Sequence, residues 1–127
     1  MIVTALGVLL LMTTGVVPEN VAVSVEGCWD LGQSYRIVLR RTDSGLRADT
    51  EADTRLGKRV VRDEPVQYDP HEQTLGFAGV GAIHRTLVVL RPSGSDLKFA
   101  LSSEISSGKW TQTAWEKARR CTPDQAK

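Results

Sequence analysis

The sequence predicts an all-β domain, an antiparallel up-and-down barrel of about eight strands preceded by a signal peptide. Three observations lead there: short segments of period-two alternation separated by turn residues, no helical periodicity between them, and two cysteines set at either end of that region. A chain of 127 residues with an ordinary apolar content fits one modest core. Its formal net charge of +1 argues against a role that depends on neutralising many phosphates, so nucleic acid is not an expected partner.

Met1 to Tyr35 contains no Lys or Arg, and Ile2 to Val17 is an almost unbroken apolar run. The run lacks the polar face of a surface helix and is shorter than the roughly 20 residues of a membrane span. It reads as the apolar region of a signal peptide, although the basic residues that normally precede such a region are missing. Pro18 breaks the run, and Ala22-Val23-Ser24 offers small residues at the spacing a signal peptidase accepts. Residues 1–24 are therefore expected to be a leader cleaved after Ser24, with 25–121 as the barrel domain and 122–127 as a flexible polar tail. Export to the periplasm or the extracellular space follows, with membrane contact expected only through the leader.

The two cysteines, Cys28 and Cys121, bracket the expected domain. In an exported chain such a pair reads as a disulfide. Closing a loop of this size removes unfolded-state entropy equivalent to about 4 to 5 kcal/mol in the chain-entropy model.

Between the cysteines, Tyr35, Ile37 and Leu39 alternate with Arg36, Val38 and Arg40, which puts an apolar row on one face of a strand. Asp43-Ser44-Gly45 turns the chain, and Leu46, Ala48, Thr50 and Ala52 form the returning inward row. Lys58 to Tyr68 reads as a strand bent at Pro65, which suits an edge or bulge. Asp69-Pro70-His71-Glu72 is a turn into a pair of strands, Thr74–Val80 and Ile83–Leu90. Pro92 to Asp96 leads to Leu97, Phe99 and Leu101, and Ser106-Ser107-Gly108 opens a last strand expected over Lys109–Arg119. Bridging Cys28 to Cys121 brings the first and last strands together, and rolling the sheet into a barrel removes its edges.

Gly27-Cys28-Trp29 at the first strand, with Gly108-Lys109-Trp110 and Arg119-Arg120 at the last, resembles the calycin group of barrels, the lipocalins and avidins. The resemblance covers the two ends of the domain as residues and the rest as topology. It implies that Trp29 plugs the closed end, with Arg119 or Arg120 stacked over it as a lid. The run Gly27 to Ser34 is similar to the start of an avidin-type barrel, but the strands from Thr74 to Leu101 contain no Trp to surround biotin. The chain also resembles small periplasmic barrel inhibitors of secreted proteases in size, export and its single disulfide.

No constellation for catalysis, phosphate binding or metal ligation stands out, and neither a cofactor nor a metal is expected. His71 and His84 fall in separate segments without a Cys or Glu at ligand spacing. Asp49, Glu51 and Asp53 share a face with Arg47 and read as a solvated charged row. The basic residues from Arg36 to Arg62 read as barrel exterior or as a patch for an acidic partner such as a phospholipid headgroup. Tyr35, Ile37, Leu39, Phe77, Leu87, Phe99 and Leu101 are the expected inward side chains. Tyr35, Phe77, His84, Arg85, Phe99, Trp110 and Trp115 are the candidates for contact with a ligand or partner. Trp110 and Trp115 differ in parity, so at least one should face outward. The expected function is a non-enzymatic binding protein for a small apolar molecule or an exported protein. The alternative is an inhibitor or immunity-type protein that occludes an exported enzyme.

Overall fold

The computed structural model of the chain describes residues 16–81 and 84–124. Most of the apolar run expected to be a leader, residues 1–15, and the last three residues of the expected tail lie outside them, while 122–124 lie on the surface.

After a short helix, α1 (Glu19–Val25), the chain is antiparallel β throughout: β1 (Gly27–Gly32), β2 (Tyr35–Thr42), β3 (Gly45–Thr54), β4 (Gly57–Pro65), β5 (Gln67–Asp69), β6 (Thr74–Gly79), β7 (Thr86–Ser93), β8 (Asp96–Ser106), β9 (Lys109–Gln112), β10 (Glu116–Lys117) and β11 (Arg119–Arg120). The expected all-β class is what forms. The expected closed barrel is not, because the strands divide into two sheets, β11-β1-β2-β3-β4 and β10-β8-β7-β6-β5, with β9 added beside β8.

Two short corners replace barrel closure. Pro65 ends β4, Val66 donates its N–H to the Leu46 carbonyl at 3.0 Å, and the next residues join β6 in the other sheet. At the second corner Ala118 donates to Leu97 at 2.8 Å, between β10 on β8 and β11 on β1. A strand that changes sheets through a bend is the usual corner of orthogonally packed sheets, and both corner side chains, Val66 and Ala118, are buried. The last strand, expected to run unbroken over Lys109–Arg119, is thus three pieces. The first pairs only with β8, and the chain leaves the ladder before Glu116.

The inward rows of β2 and β3 are as alternation requires: Ile37, Leu39, Leu46, Ala48, Thr50 and Ala52 are all buried. Leu75, Phe77, Val88, Leu90, Leu97 and Phe99 complete the core from the second sheet. Leu87, expected inward, is exposed, because β7 begins at Thr86 and its inward row is Thr86, Val88 and Leu90. On β4 the register shifts opposite Asp49, where Asp63 takes a positive φ of 58° and donates its N–H to Asp49 Oδ1 at 2.8 Å.

Helix α1 is packed into this domain. Ala22 and Val25 are buried in the core, Val17 and Val21 lie against it, and the helix touches β2 and β7, one strand from each sheet. Pro18 begins it, its carbonyl accepting from Val21 and Ala22 N–H. A cut after Ser24 would therefore remove Ala22 and the flanking valines from the apolar cluster. Comparing the chain that starts at Val16 with one that starts at Val25 by urea denaturation, we expect the shorter form to be less stable by roughly 2 to 4 kcal/mol. Equal midpoints would show that α1 adds nothing to the fold.

Candidate functional site

The two ends of the sheet pair differ in construction. At the α1 end, Trp29 on β1 is 3% exposed and donates its indole Nε1–H to the Val25 carbonyl at 2.8 Å. The Arg120 guanidinium lies over its ring, 3.9 Å from the centroid, and also donates to the carbonyls of Glu26 at 2.7 Å and Ser24 at 3.2 Å. Register decides between the two candidate lids: Trp29 pairs with Arg120, while Arg119 is opposite Asp30. Cys28 and Cys121 form the expected disulfide, with the Cys121 N–H donating to the Cys28 carbonyl at 3.1 Å. Arg41 fastens the helix from outside through Glu19 at 2.8 Å and Glu26 at 2.9 Å.

At the opposite end the sheets stand apart around a cavity of about 980 Å³. Leu31 and Tyr35, Ala52 and Leu56, and Phe99 and Leu101 supply apolar wall from both sheets. Thr86, Ser103 and Thr113 add hydroxyls, and Gln33, Asp53, Arg55 and Glu116 supply the polar and charged part of the lining. Tyr35 reaches across to donate its hydroxyl to the Val80 carbonyl at 2.8 Å. That crossing needs Gly79, since a Cβ there would lie 2.6 Å from the phenol oxygen and 2.7 Å from Val88 Cγ2. Burial pushes the Tyr35 phenol above its ordinary ionisation range, so it remains a neutral donor. In the core, Thr50 Oγ1 is buried without a hydrogen-bond partner.

No known protein family, curated protein or solved structure matches this chain. The functional reading therefore rests on these two ends.

Of the candidate contact residues, Tyr35 and Phe99 line the cavity. Phe77 is instead buried in the core, among the apolar cluster below it. His84 and Arg85 are exposed, and Arg85 leans over the Trp110 ring at 5.6 Å. Trp115 is half-buried on the outer face of the second sheet beneath Arg91, 4.3 Å from its ring centroid. The break before Glu116 resets the parity that alternation assumed for the two tryptophans. Sequence reasoning missed the wall residues Leu31 and Leu56, and read Ala52 as inward without placing it at a cavity. A bare leucine in the turn Arg55-Leu56-Gly57 was the one available sign of a mouth. Among the described residues no group of three or more His, Cys, Asp or Glu could hold a metal ion.

The charged row on the first sheet is an ion-pair ladder. Arg36 meets Glu51 at 2.7 Å, Arg40 meets Asp49 at 3.1 Å, and Arg47 meets Asp63 at 3.2 Å. Burial alone would raise the Asp49 and Glu51 carboxyls. For Asp49, hydrogen bonds from Arg40 and the Asp63 N–H outweigh it, and for Glu51, Lys58 and Arg36 do, so both are held below the ordinary carboxylate value. A carboxyl whose folded pKa is depressed contributes stability that is complete above its unfolded value, about 4, and is lost as pH falls through the folded value. The urea midpoint should be flat from neutral pH to about pH 5 and fall below about pH 4. Asp49→Asn should cost roughly 1 kcal/mol at neutral pH and make the acid fall shallower. An unchanged acid limb in that variant would remove the assignment.

Proposed function

We propose that this protein is an exported, non-enzymatic carrier, which holds a small apolar or amphiphilic molecule between its two sheets. The observation that supports this is the cavity of about 980 Å³, stopped at the other end by α1 and by the Trp29–Arg120 stack. Its volume is at the upper end of the range of small-molecule sites, and mainly apolar walls with a few placed hydroxyls suit such ligands. The disulfide supports an oxidising compartment. In this reading the leader ends ahead of α1, so the mature domain keeps the helix as its stopper.

Extraction of the exported protein followed by mass spectrometry should recover an amphiphile bound near one equivalent. An environment-sensitive fluorophore such as 1-anilinonaphthalene-8-sulfonate should bind saturably. Leu101→Trp, which fills the wall, should weaken that binding about tenfold or more while the melting temperature changes little. A protein that carries no extractable molecule, and binds the fluorophore equally with or without the substitution, would contradict the carrier.

A further inference from the structure

The mouth of the cavity carries exposed apolar side chains on its hairpin tips. Leu56, in the β3–β4 turn, is 87% exposed and lines the opening itself. On β8 the chain runs past the wall residue Ser103 to Ile105, which is 53% exposed. Trp110, paired with Glu104 on the same hairpin, is 39% exposed. Single apolar residues scattered on a surface need no explanation. These three lie at one end of the molecule, on tips that extend past the same opening.

Both signs of charge border this end, Arg55 sharing the cavity lining with Asp53 and Glu116. The carboxylates are either paired, Glu51 with Lys58 at 3.2 Å and Glu104 with Arg85 at 3.5 Å, or set on the cavity lining, Asp53 and Glu116. Arg55, Arg59 and Lys109 have no carboxylate within ion-pair distance among the described residues. Apolar tips interleaved with basic side chains, one of them a Trp under an Arg, match the headgroup zone of a bilayer. There indoles sit between oil and water, and Lys and Arg reach lipid phosphates.

We propose that the open end of the molecule docks on an anionic phospholipid surface, with Leu56, Ile105 and Trp110 entering the headgroup layer and Arg55, Arg59 and Lys109 facing its phosphates. The inference rests on the carrier reading and narrows it: the ligand is a membrane-derived amphiphile that passes between bilayer and cavity without crossing water. It takes up the phospholipid headgroup that the basic residues from Arg36 to Arg62 suggested as an acidic partner, and extends membrane contact beyond the leader.

The test is co-sedimentation of the exported protein with vesicles of phosphatidylcholine alone and of phosphatidylcholine mixed with phosphatidylglycerol, at low salt and at about 0.5 M salt. Binding should require phosphatidylglycerol and weaken with salt. Arg59→Glu with Lys109→Glu should reduce it about 25-fold or more, since each basic group near an anionic surface contributes about fivefold. Leu56→Asp with Ile105→Asp should reduce it about tenfold or more through lost insertion. The two pairs use different chemistry at exposed sites, so misfolding of one leaves the other to decide. No lipid-dependent sedimentation of the wild type, or wild-type binding by both variant pairs, overturns the proposal. Saturable fluorophore binding that persists in those cases shows that the carrier reading survives the loss of docking. Vesicle binding with an empty cavity shows the reverse.

Discussion

Trp29 is held by both termini of the described chain at once. Its indole N–H is bonded to the end of α1, its ring lies beneath Arg120 from the last strand, and its neighbour Cys28 is covalently tied to Cys121. The ladder between first and last strands has only two residue pairs, Trp29 with Arg120 and Asp30 with Arg119, which is little to hold the ends of a domain. The disulfide removes loop entropy worth about 4 to 5 kcal/mol in the chain-entropy model. An exposed cation over an indole, as Arg120 is over Trp29, adds about 0.5 to 1 kcal/mol. Together they fix where β11 begins, and therefore where Ala118 must cross from one sheet to the other.

That fixed end determines where space is left in the molecule. Working up from Trp29, the core is filled by large side chains from both sheets, such as Ile37, Leu39, Leu75, Leu90 and Leu97. Beyond Tyr35 the facing positions become small, with Ala52 on β3 and Gly79 and Gly81 after the inward row of β6. Tyr35 marks the boundary: its hydroxyl spans the gap to Val80 through the room that Gly79 leaves. The same sheets therefore make a packed core at one end and a cavity at the other. The packed end is covered by α1 and by the Trp29–Arg120 stack.

Much of this was legible from local chemistry. The alternation of β2 and β3, the Asp43-Ser44-Gly45 turn, the bend at Pro65 and the pairing of the cysteines all follow from periodicity, turn residues and compartment. The sheet corners at Val66 and Ala118 were not, because nothing in a two-residue stretch says that its neighbours belong to different sheets. Leu87 was assigned to the wrong face because Leu87-Val88-Val89-Leu90 is apolar on both alternate rows, so periodicity does not choose between them. Helix α1 was hidden by a coincidence of chemistry. Small residues such as Ala22 and Ser24 suit a peptidase site, and Ala22 equally suits the buried side of a helix pressed against a core. The turn and loop residues of the cavity wall, such as Gln33, Leu56 and Gly81, escaped because side-chain direction there has no period to betray it.

The central claim is that the two chain ends are locked together around Trp29, and amide and indole hydrogen exchange measures it most directly. The Trp29 indole N–H and the Cys121 amide should be protected to the same degree as Val88 in the middle of the second sheet, and both should lose that protection when the disulfide is reduced. Exchange at either site as fast as at the exposed turns, in the oxidised protein, would contradict the account.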